Sequence, residues 1–234
     1  SGDNNSAFGF FALGNNTSGG NNTVVGAYAG SLNVDDAENT IVGYAANYPD
    51  GGSRVTAVGS QALNSNTASD NTAVGSLALN ATVGGAENTA VGSRAGIAVT
   101  SGDGNDFSGF RAGQTTTTAS ANTVIGSYSL DNGAANTGGL NTVIGHAAGR
   151  VITSGTRNTI LGYDSGVAVT TGANNVLIGG NGTGNNITTG SANIAIGESA
   201  LTTLTASTYP NIAIGVNALY SMATGYQNIA IGYR

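Results

Sequence analysis

Residues 71–92 read NTAVGSLALNATVGGAENTAVG, and the motif that closes at Gly75 returns complete at Gly92. The same motif recurs along the whole chain of 234 residues at intervals of 16 to 19 residues, which gives fourteen copies with a period near 17. Self-similarity at a fixed period indicates a repeat protein. The closing glycines of the copies are Gly9, Gly26, Gly43, Gly59, Gly75, Gly92, Gly109, Gly126, Gly145, Gly162, Gly179, Gly197, Gly215 and Gly232.

Each copy keeps its chemical pattern when positions are counted from its closing glycine. Position −4 is Asn in thirteen of the fourteen copies, with Val55 as the exception. Position −2 is apolar in all fourteen, and position −1 is Val, Ile, Leu or Phe in thirteen, with Ser108 as the exception. Position +3 is Ala in ten of the thirteen copies that reach it. The repeat therefore predicts one structural unit per copy and a single repeat domain over residues 1–234.

The length of the repeat limits what each unit can be. A period of 17 residues is shorter than the roughly 33 residues that a repeated helix pair needs. The branched residues before each closing glycine predict a short β-strand, and Asn and Gly predict turns. We expect a second short strand in the better copies, at residues 97–100, 151–153 and 167–170. The predicted fold is all-β, a parallel β-solenoid of about fourteen 17-residue coils.

Composition excludes several classes of function. The chain has 39 Gly and 29 Asn but no Cys, so it predicts neither disulfides nor thiolate metal sites. Its six cations are all Arg and are scattered, and its net charge is −6, which does not suit nucleic acid binding. No run of about 18 apolar residues predicts a membrane-spanning helix. We therefore expect neither nucleic acid partners nor membrane insertion.

Both faces of the predicted strand are apolar, because alternate residues of a strand point to opposite sides. Position −2 lies on one face, and positions −3 and −1 share the other. One face can fill the interior of the coil, whereas a long apolar row on the other exceeds what a soluble monomer normally exposes. We therefore expect a closed homo-oligomer. We expect the contact between these chains, which we call the seam, to be most apolar near the C-terminus. There position −3 changes from Thr to Val176, Ile194, Ile212 and Ile229.

The seventh copy departs from this pattern. Asp106 and Ser108 replace the usual Thr and Val on the face of positions −3 and −1, beside the acidic turn that contains Asp103. Asp103 and Asp106 are weak candidates for a Ca²⁺ site, because Ca²⁺ prefers carboxylate and carbonyl oxygens in a loop, but no known calcium motif is present. Two interpretations of Asp106 stay open: a paired or ion-bound carboxylate at an oligomer seam, or a coil that is locally wide and hydrated.

The remaining side chains predict no catalytic site or bound cofactor. His146 is the only histidine and occupies a variable turn position, where a structural role is the simplest interpretation. Phe8, Phe10 and Phe11 could plug the open end of the first coil or pack against a preceding segment. Tyrosines near the turns suit a glycan or receptor surface, although scattered surface tyrosines are common.

Several copies carry a family resemblance. Residues 71–79 read NTAVGSLAL, residues 211–221 read NIAIGVNALYS, and residues 225–234 read GYQNIAIGYR. They resemble the repeats of trimeric phage tail fibres and the head repeats of trimeric autotransporter adhesins, the YadA-like head, although the adhesin repeat is usually a few residues shorter. The resemblance covers essentially the whole chain. It implies three chains, each a left-handed β-roll, packed about a common axis in a longer extracellular fibre.

Two functions follow as hypotheses. The first is a structural or adhesive segment of a homotrimeric fibre on a virion or bacterial surface, which attaches to a cell-surface receptor or glycan. The second is a monomeric ice-binding solenoid, because the Thr-x-Val rows resemble certain plant ice-binding β-rolls; the loss of Thr in the last copies argues against it. An enzyme is not expected, since no constellation of acids and bases is evident.

Overall fold

The computed structural model describes residues 2–32, 34–48, 51–131, 134–205 and 210–234. These residues form strands and turns without a helix. The chain divides into two compact units, Ser1–Thr118 and Ala119–Arg234, which contain seven strands each. The strands are β1 Ser6–Phe8, β2 Thr23–Val25, β3 Thr40–Val42, β4 Thr56–Val58, β5 Thr72–Val74, β6 Thr89–Val91, β7 Asp106–Ser108, β8 Thr123–Ile125, β9 Thr142–Ile144, β10 Thr159–Leu161, β11 Val176–Ile178, β12 Ile194–Ile196, β13 Ile212–Ile214 and β14 Ile229–Ile231.

Within each unit every strand pairs in parallel with the strand of the next copy. The register aligns equal repeat positions, so that Thr72 lies beside Thr89 and Ala73 beside Ala90. The second unit keeps the same register, as when Ile194 pairs with Ile212. Each strand covers positions −3 to −1 of its copy. The predicted all-β parallel β-solenoid is confirmed, with one short strand in each coil.

The prediction of a second short strand in the better copies is wrong. Residues 97–100, 151–153 and 167–170 form turns rather than strands. Their inter-coil hydrogen bonds converge instead of forming a ladder: the carbonyl of Thr170 accepts from the N–H groups of Thr153, Ser154 and Gly155 at 2.9, 3.3 and 3.1 Å. The apolar residues of these segments still reach the core, where Val99, Ile152 and Val169 are fully buried. The apolar residues of these segments agree with their burial in the core, but they did not predict the backbone conformation of the segments.

The closing glycine of each coil lies directly against the next coil. Gly75 has φ +138°, and a Cβ at this position would lie 2.5 Å from the carbonyl oxygen of Gly92. Most other closing glycines show the same positive φ and the same close approach to the next closing glycine. Both the backbone conformation and the space therefore exclude a side chain.

The asparagines at position −4 form a column of inter-coil hydrogen bonds inside the fold. The Asn158 backbone N–H and side-chain amide both donate to Oδ1 of Asn141, at 2.9 and 3.1 Å. The same amide donates to the carbonyl of Gly172 at 2.8 Å. Asn175 repeats this arrangement on Asn158. The amides of Asn158 and Asn175 thus join a turn to the strand entry of the next coil, as buried polar groups require.

The column has one gap, at Val55. The backbone N–H of Val55 still donates to Oδ1 of Asn39 at 2.9 Å, but Val55 supplies no oxygen to the following coil. There the side chain of Asn71 bonds Oδ1 of Asn66, at 3.0 Å, instead of the position −4 residue of the preceding coil. The fold therefore tolerates the loss of one asparagine from the column.

In several coils the interior exchanges side-chain volume between positions −2 and +4. Small Ala73 at −2 accompanies Leu79 at +4, and both are fully buried. Large Phe107 at −2 accompanies Gly113 at +4, where any Cβ would collide with the Phe107 ring. Ile160 and Gly166 form another large–small pair in contact distance. Close packing at a fixed coil size explains the exchange, because overpacking and cavities both destabilise a core.

A matched pair of glycine substitutions tests the close approach of the coils. We expect Gly75→Ala to lower the free energy of unfolding by about 3 kcal/mol, through backbone strain and overpacking. Gly84→Ala is the control, since a Cβ there meets nothing within 4 Å. Chemical denaturation followed by circular dichroism measures both changes, and equal effects of the two substitutions would contradict the argument.

Restoring the missing amide tests the asparagine column. We expect Val55→Asn to raise the free energy of unfolding by about 1 kcal/mol, because the new amide can donate to Asn39 and accept from the N–H of Asn71. Val55→Leu is the control, as leucine matches asparagine in shape without hydrogen bonding. If thermal melting shows that the Val55→Leu variant is more stable than the Val55→Asn variant, the asparagine column does not stabilise the fold at this coil.

Candidate functional site

The outward sheet face consists of the side chains at positions −3 and −1 of the strands. Position −2 is buried in β2–β13, while positions −3 and −1 are exposed or half-buried throughout. Val91 is 45% exposed and Leu161 is 41% exposed, although both are aliphatic. The prediction that one strand face fills the core and the other points outward is confirmed for a single chain.

The outward sheet face differs between the two units in its chemistry. In the first unit, Thr at position −3 alternates with Val at position −1 across β2–β6. In the second unit, β12–β14 each read Ile-Ala-Ile, so that both outward positions are isoleucine. Among both outward positions of all fourteen strands, Asp106 is the one ionisable residue. This surface is therefore almost free of charge and becomes more apolar toward the C-terminus.

The calcium candidates do not form a ligand set in the described part of the chain. Asp103 accepts a hydrogen bond from the N–H of Ala86 at 2.8 Å. Asp106 lies exposed on the outward face of β7, with Phe107 pointing into the core. No group of three or more His, Cys, Asp or Glu that could hold a metal ion occurs among the described residues. The structure gives these two carboxylates no common ligand geometry.

Exposed aromatic rings form a cluster on the turns of the first three coils. Phe10 and Phe11 contact Tyr28 with ring centroids 5.4 and 6.2 Å apart, and Tyr28 contacts Tyr44 at 6.3 Å. Phe8, Phe10 and Phe11 are all exposed in this single chain, so their suggested role as a plug or as a contact for a preceding segment stays a prediction. The sequence showed aromatic residues near the turns but not that successive coils bring them into contact.

A second aromatic row lies in the second unit and includes the single histidine. The His146 ring stacks on Tyr163 at 5.5 Å and meets Tyr128 edge-on at 5.7 Å. His146 is exposed, and its ring contacts explain its place in the turn without a catalytic role. Its structural interpretation from sequence is consistent with this packing.

One surface ion pair joins neighbouring coils of the first unit. Nε of Arg54 lies 2.7 Å from Oδ1 of Asp70, and Nη2 lies 2.8 Å from Oδ2. This bidentate hydrogen bond lowers the pKa of the Asp70 carboxyl and raises that of the Arg54 guanidinium. The contribution of the pair to stability is present above the ordinary pKa of Asp and is lost as the pH falls through the lowered value. Both side chains are about half exposed, and the pair joins neighbouring coils.

Comparisons with known proteins give this chain no family. No protein-family model matches it, and no curated protein is similar to it in sequence. A search of the described residues for a helix with the length and hydropathy needed to cross a bilayer finds none. The functional interpretation therefore depends on the outward sheet face and the aromatic turns themselves.

Proposed function

We propose that this chain is a structural and adhesive segment of an extracellular homotrimeric fibre, on a virion or a bacterial surface. The observation that supports this proposal is the outward sheet face, a largely apolar row in each unit with Asp106 as its one ionisable residue and no covering element within the described chain. Apolar surface on this scale favours burial against other chains. The resemblance of the repeats to tail fibres and YadA-like heads suggests three chains, left-handed coils and a common axis.

The chemistry of the outward face supports a seam between identical chains. Equal positions stack along the sheet, so every chain presents the same row of Val, Ile and Thr side chains. A rotationally symmetric assembly buries such a row against its own copies and leaves no complementary patch unpaired. Asp106 is the one carboxylate that this seam would bring together from three chains. The assembly acts mechanically and through multivalent display, without a catalytic step.

The mass of the protein in solution tests whether the outward sheet face is a contact between chains. We expect light scattering to give three times the chain mass of 22.8 kDa for the native protein. Ile196→Asp places a carboxylate on the outward face of β12 and is expected to reduce the mass toward that of one chain. Val83→Asp is the control, because Val83 is a turn residue that is already 52% exposed.

Circular dichroism distinguishes the loss of partner chains from misfolding. Ile196 points away from the core, so its variant is expected to keep a β spectrum while it loses partners. A native protein that is folded and has the mass of one chain contradicts the trimer. Equal loss of mass in both variants would also contradict it, because the effect would then come from added charge and not from the seam.

A monomeric ice-binding role is the second candidate, and one observation favours it. Thr at position −3 is exposed or half-buried on β2–β6 in the first unit and on β8–β10 in the second, which gives each unit a regular row of hydroxyl and methyl groups about 4.8 Å apart. The row ends where β11–β14 carry Val or Ile instead. A covered seam would hide the row, so we expect no effect of the native protein on ice growth. Thermal hysteresis measured on a 22.8 kDa monomer would favour this second role instead.

A further inference from the structure

We propose that the first unit binds one pyranose ring of an uncharged glycan in a tyrosine pocket lined by Tyr28, Tyr44, Ala45 and Tyr48. The inference rests on the proposed adhesive function and names the ligand class that this surface would take. The pocket lies on the turns that follow β2 and β3, away from positions −3 and −1 of the strands.

The pocket has the size and the wall chemistry of a site for one small ring. Its volume is about 250 Å³, just below the roughly 300–1,000 Å³ typical of drug-sized ligands. Tyr28 and Tyr44 stand at 88° to each other, so the two rings form two walls of a corner. Phe10 and Phe11 pack behind Tyr28 and extend the aromatic surface to the first coil.

The backbone that carries these rings is fixed by inter-coil hydrogen bonds. Tyr28 adopts a left-handed conformation with φ 58°, and its N–H donates to the carbonyl of Phe10 at 2.8 Å. Ala45 has φ 48° and donates to the carbonyl of Ala27 at 3.0 Å. Both turns are therefore set by the stacking of the coils and not by the rings. A ligand would meet a preorganised surface, which reduces the entropy lost on binding.

The core does not need these aromatic rings. Tyr44 is 54% exposed and Tyr28 is 39% exposed, while Val24, Ile41 and Ala46 of the same coils are fully buried. A single exposed tyrosine is unremarkable, but several in mutual contact form a patch. The apolar faces of these rings remain available to a partner.

The chemistry of the lining points to a neutral sugar. A pyranose has an apolar face of C–H groups that packs on an aromatic ring, and equatorial hydroxyls at its edge that pair with phenol oxygens. None of the four lining residues is charged, so they offer no cation to pair with a phosphate or a carboxylate. The net charge of −6 further disfavours nucleotides, whose bases could also stack on tyrosine.

Saturation-transfer NMR on the full chain tests the pocket. The probes are four uncharged sugars: cellotriose, maltotriose, triacetylchitotriose and lactose. We expect at least one to bind with a dissociation constant in the millimolar range, and Tyr44→Ala to weaken it about tenfold or more. Tyr44→Phe keeps the ring without its hydroxyl and is expected to retain most of the binding. Tyr220→Ala removes a comparably exposed tyrosine outside the pocket and is the matched control.

Two results would overturn the inference. One is the absence of saturation transfer from all four sugars to the folded native protein. The other is equal weakening by Tyr44→Ala and Tyr220→Ala, which would show that no particular tyrosine is involved. Light scattering on the same samples keeps the proposed function separate: a trimer that binds no sugar contradicts only the pocket, and a sugar-binding monomer contradicts only the trimer.

Discussion

The close approach of one coil to the next at the closing glycine is the constraint on which the rest of the fold depends. A Cβ at Gly75 would lie 2.5 Å from the carbonyl oxygen of Gly92, and the backbone there has φ +138°. The asparagine column, by comparison, tolerates a gap at Val55. The glycine occurs in all fourteen copies, as expected when steric exclusion rather than a replaceable hydrogen bond sets the requirement.

The fixed separation of the coils explains the composition of the interior. In some coils a large residue at position −2 accompanies a small one at +4, as in Phe107 with Gly113. Ala73 with Leu79 shows the opposite distribution. The backbone path is therefore conserved while the side chains that fill it vary. Asparagine satisfies the polar groups that this narrow interior buries, since they are removed from water.

The same geometry separates two kinds of surface. Positions −3 and −1 face outward from the sheet, whereas the aromatic rings stand on the turns after the closing glycine. A seam between chains and a ligand pocket can therefore coexist without sharing residues. On both surfaces side chains of successive coils meet. Ile194 lies beside Ile212 at the same position −3 of the next coil, and Tyr28 at +2 contacts Tyr44 at +1 of the next coil.

The sequence by itself determined the period, the strand at positions −3 to −1 and the division of the strand residues between two opposite faces, because alternation along a strand is a local property. It did not determine the conformation of residues 97–100, 151–153 and 167–170, where apolar side chains reach the core from turns. Nor did it reveal the volume exchange between Phe107 and Gly113 or the contact of Tyr28 with Tyr44. Only the tertiary structure decided these features, because they depend on the path of a whole coil, which places side chains against each other within a coil and between successive coils.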